Sequence, residues 1–413
     1  RLEQARAAGA ALPDDGLPGE LASVAAWAER TDDGTVSDMP TAPRPEVWDE
    51  VAAEPDLCLR AKCPHFDRCF LYKARRVAAQ ADVIVVNHHL LLSDVAVRRV
   101  QQNWTDAAVL PPYQRLVVDE GHHLEDAAAS HLGTTVTRRA LQRLFAHLER
   151  KGRGLLNALV ERLSTRSDLL STASLDLVHT RLVPSAHAAR DQAAMLFDLL
   201  QTVIEEHGQP VVRLTDDFAG HHVWAAGLDA ALADLLGEIE MLGEGLRLVR
   251  ERLETDRKRE EELAPLLLEL RGVARRLESA GNGLRSALRP APDADPTVRW
   301  IETRGKDGNV AVTAVPLDLA PILRADLFER VETAVITSAT LATDGKFDFL
   351  ARRLGLAEPG LEPVTRILPS PFQYPRQAVL CVPTDVAPPN TDASRHFLHV
   401  VRVTVDLATL AEE

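Results

Sequence analysis

The sequence predicts an α/β fold in which a parallel sheet is interrupted by a long helical insertion. Residues 83–86 (VIVV), 116–118 (LVV) and 333–337 (TAVIT) are short apolar runs without polar alternation. Such runs are typical of strands buried on both faces of a parallel sheet. Between the second and third runs, residues 138–288 carry apolar residues at helical spacing. This block separates parts of one predicted sheet.

The remaining regions predict smaller elements. The chain opens with a helical pattern and continues into a loop rich in Asp, Gly and Pro at residues 31–45. Residues 297–316 predict two strands around a turn at 305–308, and residues 378–383 predict another strand before a closing amphipathic segment. The charge run at 251–262 favours a solvated helix face over a partner contact.

Composition indicates a soluble protein of two to four domains: 413 residues, 46% hydrophobic and 26% charged. No apolar run approaches the ~20 residues of a membrane span, and no signal peptide pattern is visible at the start. Three of the four cysteines are clustered, which indicates a metal site in a reducing compartment, so a cytoplasmic location is expected. The net charge of −14 argues against nucleic acid for the chain as a whole, although a binding surface is local. A first residue other than Met and an ending in mid-pattern suggest a fragment.

The first candidate site is the segment RLVVDEGHHLED at 115–126. A strand that ends in Asp119 and Glu120 suits a Walker B motif, with Asp119 holding the Mg²⁺ of a nucleotide and Glu120 orienting and deprotonating water. His122 is positioned to hydrogen-bond between this site and a neighbouring domain. The alternative is an ordinary strand followed by a helix N-cap carboxylate.

The second candidate site is the segment TSAT at 337–340, which also follows a predicted strand. Its hydroxyls could bridge the magnesium carboxylates to substrate, whereas a plain Ser/Thr turn is the alternative. Parallel strands would gather both polar clusters at one sheet edge.

The third candidate site is a cysteine cluster, Cys58, Cys63 and Cys69, within a chain that has four cysteines in all. This spacing predicts a shared metal centre in a reducing compartment, and it leaves iron–sulfur and zinc both open. A fourth ligand could be His65 or a cysteine before Arg1, whereas Cys381 has the pattern of a buried thiol. The cations around the cluster, together with aromatic residues, predict contact with single-stranded nucleic acid: Arg60, Lys62, Arg68, Lys73, Arg75 and Arg76. Phe66 and Phe70 are expected to pack around the metal.

A phosphate-binding G-x-x-x-x-G-K-[ST] loop does not occur in the sequence. The chain by itself is therefore expected not to hydrolyse ATP.

Taken in order, these motifs resemble the XPD/DinG family of iron–sulfur superfamily 2 DNA helicases. The resemblance rests on CLRAKCPHFDRCFLYKARR (58–76), VIVVNHHLLL (83–92), VVDEGHHLED (117–126), VRWIE (298–302), AVITSATL (334–341) and SPF (370–372). It implies a RecA-like P-loop NTPase motor with an inserted iron–sulfur domain and a helical arch domain.

The resemblance also implies roles for individual residues. Cys58, Cys63 and Cys69 correspond to three of four [4Fe–4S] ligands, the fourth lying before Arg1. Asp119 to His122 corresponds to the DEAH box, with Gly121 in place of Ala and the chemistry intact. Ser338 and Thr340 belong to the motif that couples hydrolysis to strand movement. The implied activity is ATP- and Mg²⁺-dependent 5′–3′ DNA unwinding by a monomer that acts on single-stranded or forked DNA in repair or replication.

The resemblance implies six segments. They are an N-terminal segment (1–57), an iron–sulfur domain (58–80), motor domain 1 (81–134), the arch (135–290), motor domain 1 continued (291–345) and the start of motor domain 2 (346–413). Two alternatives stay open: a non-catalytic metal-binding module that grips nucleic acid, and an RNA-directed ATPase of the same superfamily.

Overall fold

The computed structural model describes residues 17–44, 47–48, 51–52, 63, 65–150, 152, 154–255, 257–291, 296–305 and 308–412. Cys58, Arg60 and Lys62, and the helical pattern at the very start of the chain, lie outside these residues. The chain divides into two compact units, Arg1–Pro363 and Val364–Glu413.

Helices make up most of the first unit. In the part before the long insertion they are α1 (Leu17–Ala28), α2 (Phe70–Gln80), α3 (His88–Gln101) and α4 (Leu124–Leu132). In the insertion they are α5 (Arg138–Leu148), α6 (Leu155–Ser164), α7 (Leu169–Leu177), α8 (Val183–His207), α9 (Asp229–Leu253) and α10 (Arg257–Leu288). The last two of this unit are α11 (Ala320–Asp326) and α12 (Asp348–Arg353).

Six strands form two sheets in the described residues. They are β1 (Arg115–Val118), β2 (Thr134–Thr137), β3 (Val211–Leu214), β4 (Thr297–Arg304), β5 (Asn309–Pro316) and β6 (Thr333–Ile336). β1 and β6 form a parallel pair, with Val118 opposite Ile336. The other four form an antiparallel sheet in the order β2-β5-β4-β3. The predicted parallel pair and the predicted hairpin at 297–316 are thus confirmed.

Three hydrophobic clusters lie in the described part of the first unit, a small one around Trp27 and two larger cores. The larger of these two cores is formed by the helices of the insertion and the inner face of the antiparallel sheet, and it includes Phe145, Phe197 and Val312. The smaller lies around α3, α4 and α11 and includes Val118 from β1. Since β1 contributes to the smaller core, the parallel strands are fixed to α3 and α4 rather than to the insertion.

Four sequence predictions about strands were wrong. Residues 83–86 are extended but pair with no described strand, and Val85 is 91% exposed. β1 and β6 are not buried on both faces, since Val117 is 71% exposed. The helical insertion contains β3 and is directly preceded by β2, and both strands complete the sheet that β4 and β5 form. Residues 378–383 form no strand, because no described segment pairs with them.

The second unit contains α13 (Tyr374–Gln377) and α14 (Ala393–Glu412). His396 and His399 of α14 contact the backbone of Ala387, so this helix folds back on the segment before it. Among the described residues, no helix combines the length and the apolarity that a membrane crossing requires.

Candidate active site

The ends of β1 and β6 bring the two strand-end polar clusters together. Parallel pairing places Val118 beside Ile336, so the next residues of both strands emerge at the same edge. The ladder continues one step further, since Thr337 N donates to Val118 O (2.8 Å) and Gly121 N donates to Thr337 O (2.9 Å). Residues 119–122 and 337–338 therefore share one edge of the sheet, as the sequence predicted.

Asp119 is held by three contacts. Its Oδ1 atom accepts hydrogen bonds from the Thr337 hydroxyl (2.9 Å) and from the Glu120 backbone N–H (3.0 Å). Its carbonyl oxygen lies 2.8 Å from Nε2 of His88, at the start of α3. Asn87 caps α3 by accepting a hydrogen bond from Leu90 N (2.8 Å), and this fixes where His88 begins the helix. The Asp119 carboxylate is thus oriented with lone pairs still available to a cation.

Glu120 has a left-handed backbone conformation, with φ 51° and ψ 46°. This region is unfavourable for a residue other than glycine, and such strain is concentrated at functional sites. The conformation turns the chain sharply after β1, so that Glu120 points to solvent with 57% of its side chain exposed. A carboxylate presented in this way is accessible to a water molecule and a substrate.

Glu120, His122 and Ser338 form a closed triangle of polar contacts. The Ser338 hydroxyl donates to Glu120 Oε2 (3.1 Å), and His122 Nδ1 lies 2.7 Å from Ser338 Oγ and 3.3 Å from the same carboxylate oxygen. Since the single hydroxyl hydrogen is directed at Glu120, Nδ1 of His122 carries the hydrogen in its own bond to Ser338. The two strand ends are therefore linked through side chains as well as backbone.

Gly121 allows the close approach of the two strand ends. It is buried, and a Cβ atom built there would lie only 2.2 Å from Cγ2 of Ile336. An alanine, the residue that the DEAH pattern has here, would not fit beside Ile336 without a shift of the backbone. The glycine thus has a packing role that the motif comparison did not reveal.

Sequence reasoning missed one neighbour of the site, His88, and included one residue that lies apart from its carboxylates. Thr337, which begins the predicted TSAT segment, contacts Asp119 directly through its hydroxyl. His88 was visible only as part of the NHH pattern. Thr340, in contrast, reaches the site by donating its backbone N–H to Ser338 Oγ (3.3 Å).

The described part of the cysteine segment consists of two consecutive turns. Phe66 N donates to Cys63 O (3.0 Å), and Cys69 N donates to Phe66 O (3.3 Å). Both cysteines are free thiols and are half-buried. Cys58, the third predicted ligand, lies outside the described residues.

The cations of this segment lie against its aromatic rings. The guanidinium carbon of Arg75 is 5.7 Å from the ring centre of Tyr72, and that of Arg76 is 5.7 Å from Phe66. Lys73 donates to Asp32 O (2.6 Å). Arg68 lies 3.2 Å from His65 Nδ1. These basic residues thus lie on or beside the aromatic rings and form one surface on and beside α2. Phe66 packs on Tyr72, whereas Phe70 packs against the loop at Gly34.

Comparison with known proteins agrees with this arrangement. The DEAD_2 family model matches residues 49–141, which contain the cysteine segment, α3 and the DEGH box. The ATP-dependent DNA helicase YoaA of Escherichia coli (strain K12) is 27% identical over 402 residues, covering 96% of this chain and 54% of that protein. These matches support a likeness of the chain to the DinG/XPD-like helicases. The motifs of this chain follow one another in the order of the XPD/DinG family over most of its length.

Other relatives of this DinG/XPD-like chain carry the DinG name. The ATP-dependent helicase DinG of Mycobacterium tuberculosis (strain ATCC 25177 / H37Ra) is 26% identical over 91% of this chain and 48% of that protein. The 3′-5′ exonuclease DinG of Bacillus subtilis (strain 168) is 25% identical over 88% of this chain and 38% of that protein. The chain thus spans about half the length, or less, of the curated relatives it matches.

Proposed function

We propose that the protein to which this chain belongs is an ATP-dependent DNA helicase that binds single-stranded or forked DNA and unwinds the adjoining duplex in repair or replication. The observation that carries the proposal is the cluster at the ends of β1 and β6, where Thr337 holds Asp119 and Ser338 holds Glu120. The name of the YoaA relative as a DNA helicase favours DNA over RNA, and the names of YoaA and of the mycobacterial DinG as helicases favour a motor over a passive binding module. A cytoplasmic monomer is part of the same proposal.

The proposed chemistry assigns one task to each carboxylate. Asp119, oriented from three sides, would hold the Mg²⁺ of the nucleotide, because hard cations prefer carboxylate oxygens. Glu120, exposed beside it, would orient the attacking water and accept its proton. His122 and Ser338 would transmit a change at Glu120 to β6, because a change in the hydrogen bonds of the Glu120 carboxylate must alter its contacts with both residues. Thr340 would act through the backbone that carries Ser338.

The experiment that tests this proposal replaces Glu120 by Gln in the protein that carries this chain. Turnover of ATP should fall by at least ~10²-fold, the size expected from loss of a general base, while nucleotide binding persists. Asp126→Asn is the matched control, because Asp126 is an exposed carboxylate six residues further along, in the first turn of α4. Near-normal turnover in Glu120→Gln, or an equal loss in the control, would overturn the assignment.

The cysteine segment is proposed as an iron–sulfur domain. The donor set fits a [4Fe–4S] cluster, because Cys63 and Cys69 are free, half-buried thiols on adjoining turns and Cys58 precedes them. A fourth ligand would complete the set. When bound, the cluster would supply a rigid, thiolate-held centre for the segment. Residues 135–290 are proposed as the arch domain.

The basic surface around this centre is proposed to hold DNA. Arg60, Lys62, Arg68, Lys73, Arg75 and Arg76 would follow phosphates, and the rings interleaved with them would stack on bases. The cation–aromatic layers of α2 keep these charges close together despite their repulsion.

Metal analysis of anaerobically prepared protein tests the iron–sulfur proposal. Cys63→Ser should lose iron and acid-labile sulfide together, while Cys381→Ser, which removes an exposed thiol in the second unit, should retain both. DNA unwinding should suffer more than ATP hydrolysis in Cys63→Ser. One zinc per chain without sulfide in the unsubstituted protein would contradict the proposal.

A further inference from the structure

Three potential metal ligands converge on the surface of the helical insertion, far along the chain from the cysteines. Glu206, the last residue but one of α8, faces His221 and His222, which follow the short 3-10 helix Asp216–Gly220. One ligand atom from each residue lies within 4.8 Å of the other two. His222 Nε2 is 3.2 Å from Glu206 Oε1, and His221 Nε2 is 3.9 Å from Glu206 Oε2.

These distances are close to those of a tetrahedral zinc site. Zinc bonds of 2.0–2.2 Å to imidazole nitrogen and carboxylate oxygen place neighbouring ligand atoms about 3.4 Å apart. The contact between His222 Nε2 and Glu206 Oε1 (3.2 Å) is close to this spacing, whereas His221 Nε2 approaches the other oxygen, Oε2 (3.9 Å), so a metal held through Oε1 requires His221 to move toward that atom. All three side chains are partly exposed, between 32% and 69%, so they can move without disturbing a packed core.

Aromatic packing holds the two imidazoles side by side. Their ring centres are 4.7 Å apart with 28° between the planes. Phe218 lies 5.9 Å from His221 and meets Trp224 edge-on at 5.6 Å, so the loop is fixed from both sides of the histidine pair. Adjacent residues of a loop rarely present both side chains to one point, and here this packing makes them do so.

The tautomer of His221 and its hydrogen bond to Val223 must both change when a metal binds its Nε2 atom. Nδ1 of His221 accepts a hydrogen bond from Val223 N (3.3 Å), so the neutral ring carries its hydrogen on Nε2, facing Glu206. A metal bound at Nε2 needs the other tautomer and displaces the long bond to Val223. Metal binding at this pair therefore competes with a weak local contact.

We propose that Glu206, His221 and His222 form a zinc site with three protein ligands and a fourth position open to water. Two imidazoles and one carboxylate are a ligand set that zinc accepts with an open position. The site ties the end of α8 to the loop that follows β3, and β3 is the edge strand of the antiparallel sheet. Zinc would thus cross-link the two ends of the chain segment that runs from the end of α8 to the loop after β3. The proposal is independent of the proposed helicase activity.

The test uses Zn²⁺ alone, added to this chain after its four cysteines are replaced by Ser, so that thiolates do not contribute. Calorimetry should give one zinc per chain and a higher unfolding temperature, because a ligand that binds the folded state stabilises it. Affinity should weaken as the pH falls, since the imidazoles must be deprotonated to bind. The double variant His221→Ala, His222→Ala should lose more than about tenfold in affinity, because loss of even an outer-shell partner of a metal ligand costs about 10–100-fold.

One control variant and one alternative measurement make the result decisive. His187→Ala removes a second histidine–carboxylate contact of the insertion (2.8 Å to Glu149) and should leave zinc binding unchanged. If the cysteine-free chain does not fold, Co²⁺ is added to the unsubstituted chain. Visible bands without thiolate charge transfer must then vanish in the double histidine variant and persist in His187→Ala. Absence of zinc binding in the parent, or equal loss in the control, overturns the proposal.

Discussion

Two polar clusters border the smaller core, one buried and one exposed, and they have different roles. Asp94 and Arg98 of α3 are 0% and 3% exposed, whereas Glu120 and His122 are more than one-third exposed. Both clusters join a carboxylate to neighbouring polar groups. They differ in how much hydrogen-bonding capacity is left for a ligand.

The buried cluster is fully satisfied by the protein. The five N–H groups of Arg98 meet five acceptors: Asp94 Oδ2 and the carbonyl oxygens of Trp104, Asp106, Leu110 and Pro111. Asp94 Oδ1 accepts from the backbone N–H groups of Val109 and Leu110. Burial, and after it the negative charge of Asp94, raises the pKa of the nearby Tyr113 hydroxyl, which keeps that group neutral. This cluster fixes the loop that leads into β1.

The exposed cluster makes fewer contacts and keeps free lone pairs. Its carboxylates are held by one hydroxyl each, by one backbone N–H at Asp119 and by the His122 ring nitrogen at Glu120. A buried ion pair whose hydrogen-bonding groups are all occupied has none left for a ligand. An oriented, accessible carboxylate, in contrast, can also bind a cation or a water. Exposure and spare capacity, rather than the presence of charge, thus distinguish the candidate active site.

The largest expected effect on stability comes from breaking the buried cluster. Arg98→Met should lower the free energy of unfolding by ~3–5 kcal/mol, because it leaves Asp94 and several carbonyls buried without partners. Arg99→Met is the matched control, since Arg99 is 42% exposed and its ion pair with Asp326 (3.4 Å) is worth less than ~1 kcal/mol. Denaturant unfolding of both variants measures the difference. Similar losses for the two would refute the distinction between the clusters.

A smaller effect is expected at the glycine beneath the exposed cluster. Gly121→Ala should destabilise the chain by ~1–3 kcal/mol through overpacking against Ile336. Adding Ile336→Ala should recover part of that loss, with a coupling free energy of at least ~0.5 kcal/mol in a double-mutant cycle. Gly237→Ala in α9, where a Cβ meets nothing within 4 Å, should be neutral or stabilising. Strict additivity of the two substitutions would refute the close contact.

The smallest effect concerns pH. Burial, and then the neighbouring His89, lowers the pKa of His131, whose Nε2 lies 3.2 Å from His89 Nδ1. The unfolded state therefore binds the proton more readily, and stability should fall as the pH drops from about 7.5 to about 5.5, through the ordinary histidine pKa near 6.5. His131→Gln should flatten this part of the pH profile of unfolding. The exposed His179→Gln is the control, and an unchanged profile in His131→Gln would contradict the assignment.

Local patterns were sufficient for the parts of the molecule that are determined over short distances. The helical insertion, the hairpin at β4 and β5, and the strands before Asp119 and Thr337 could all be predicted, because their side-chain periodicity follows directly from backbone geometry. The meeting of the two polar clusters at one edge could also be predicted, since parallel strands end on the same side.

Only the tertiary structure decided which residues occupy that edge and how they are held. Two short strands, β2 just before the insertion and β3 within it, were missed because four-residue strands carry too little periodicity to be distinguished from helix. The contacts of His88 with Asp119 and of Gly121 with Ile336 join residues 31 and 215 positions apart, and no local pattern encodes such pairs. The same is true of Glu206 with His221 and His222, whose convergence depends on how α8 and the following loop pack. The sequence by itself determined the chemistry available to this chain, whereas packing over long distances decided which groups can act together.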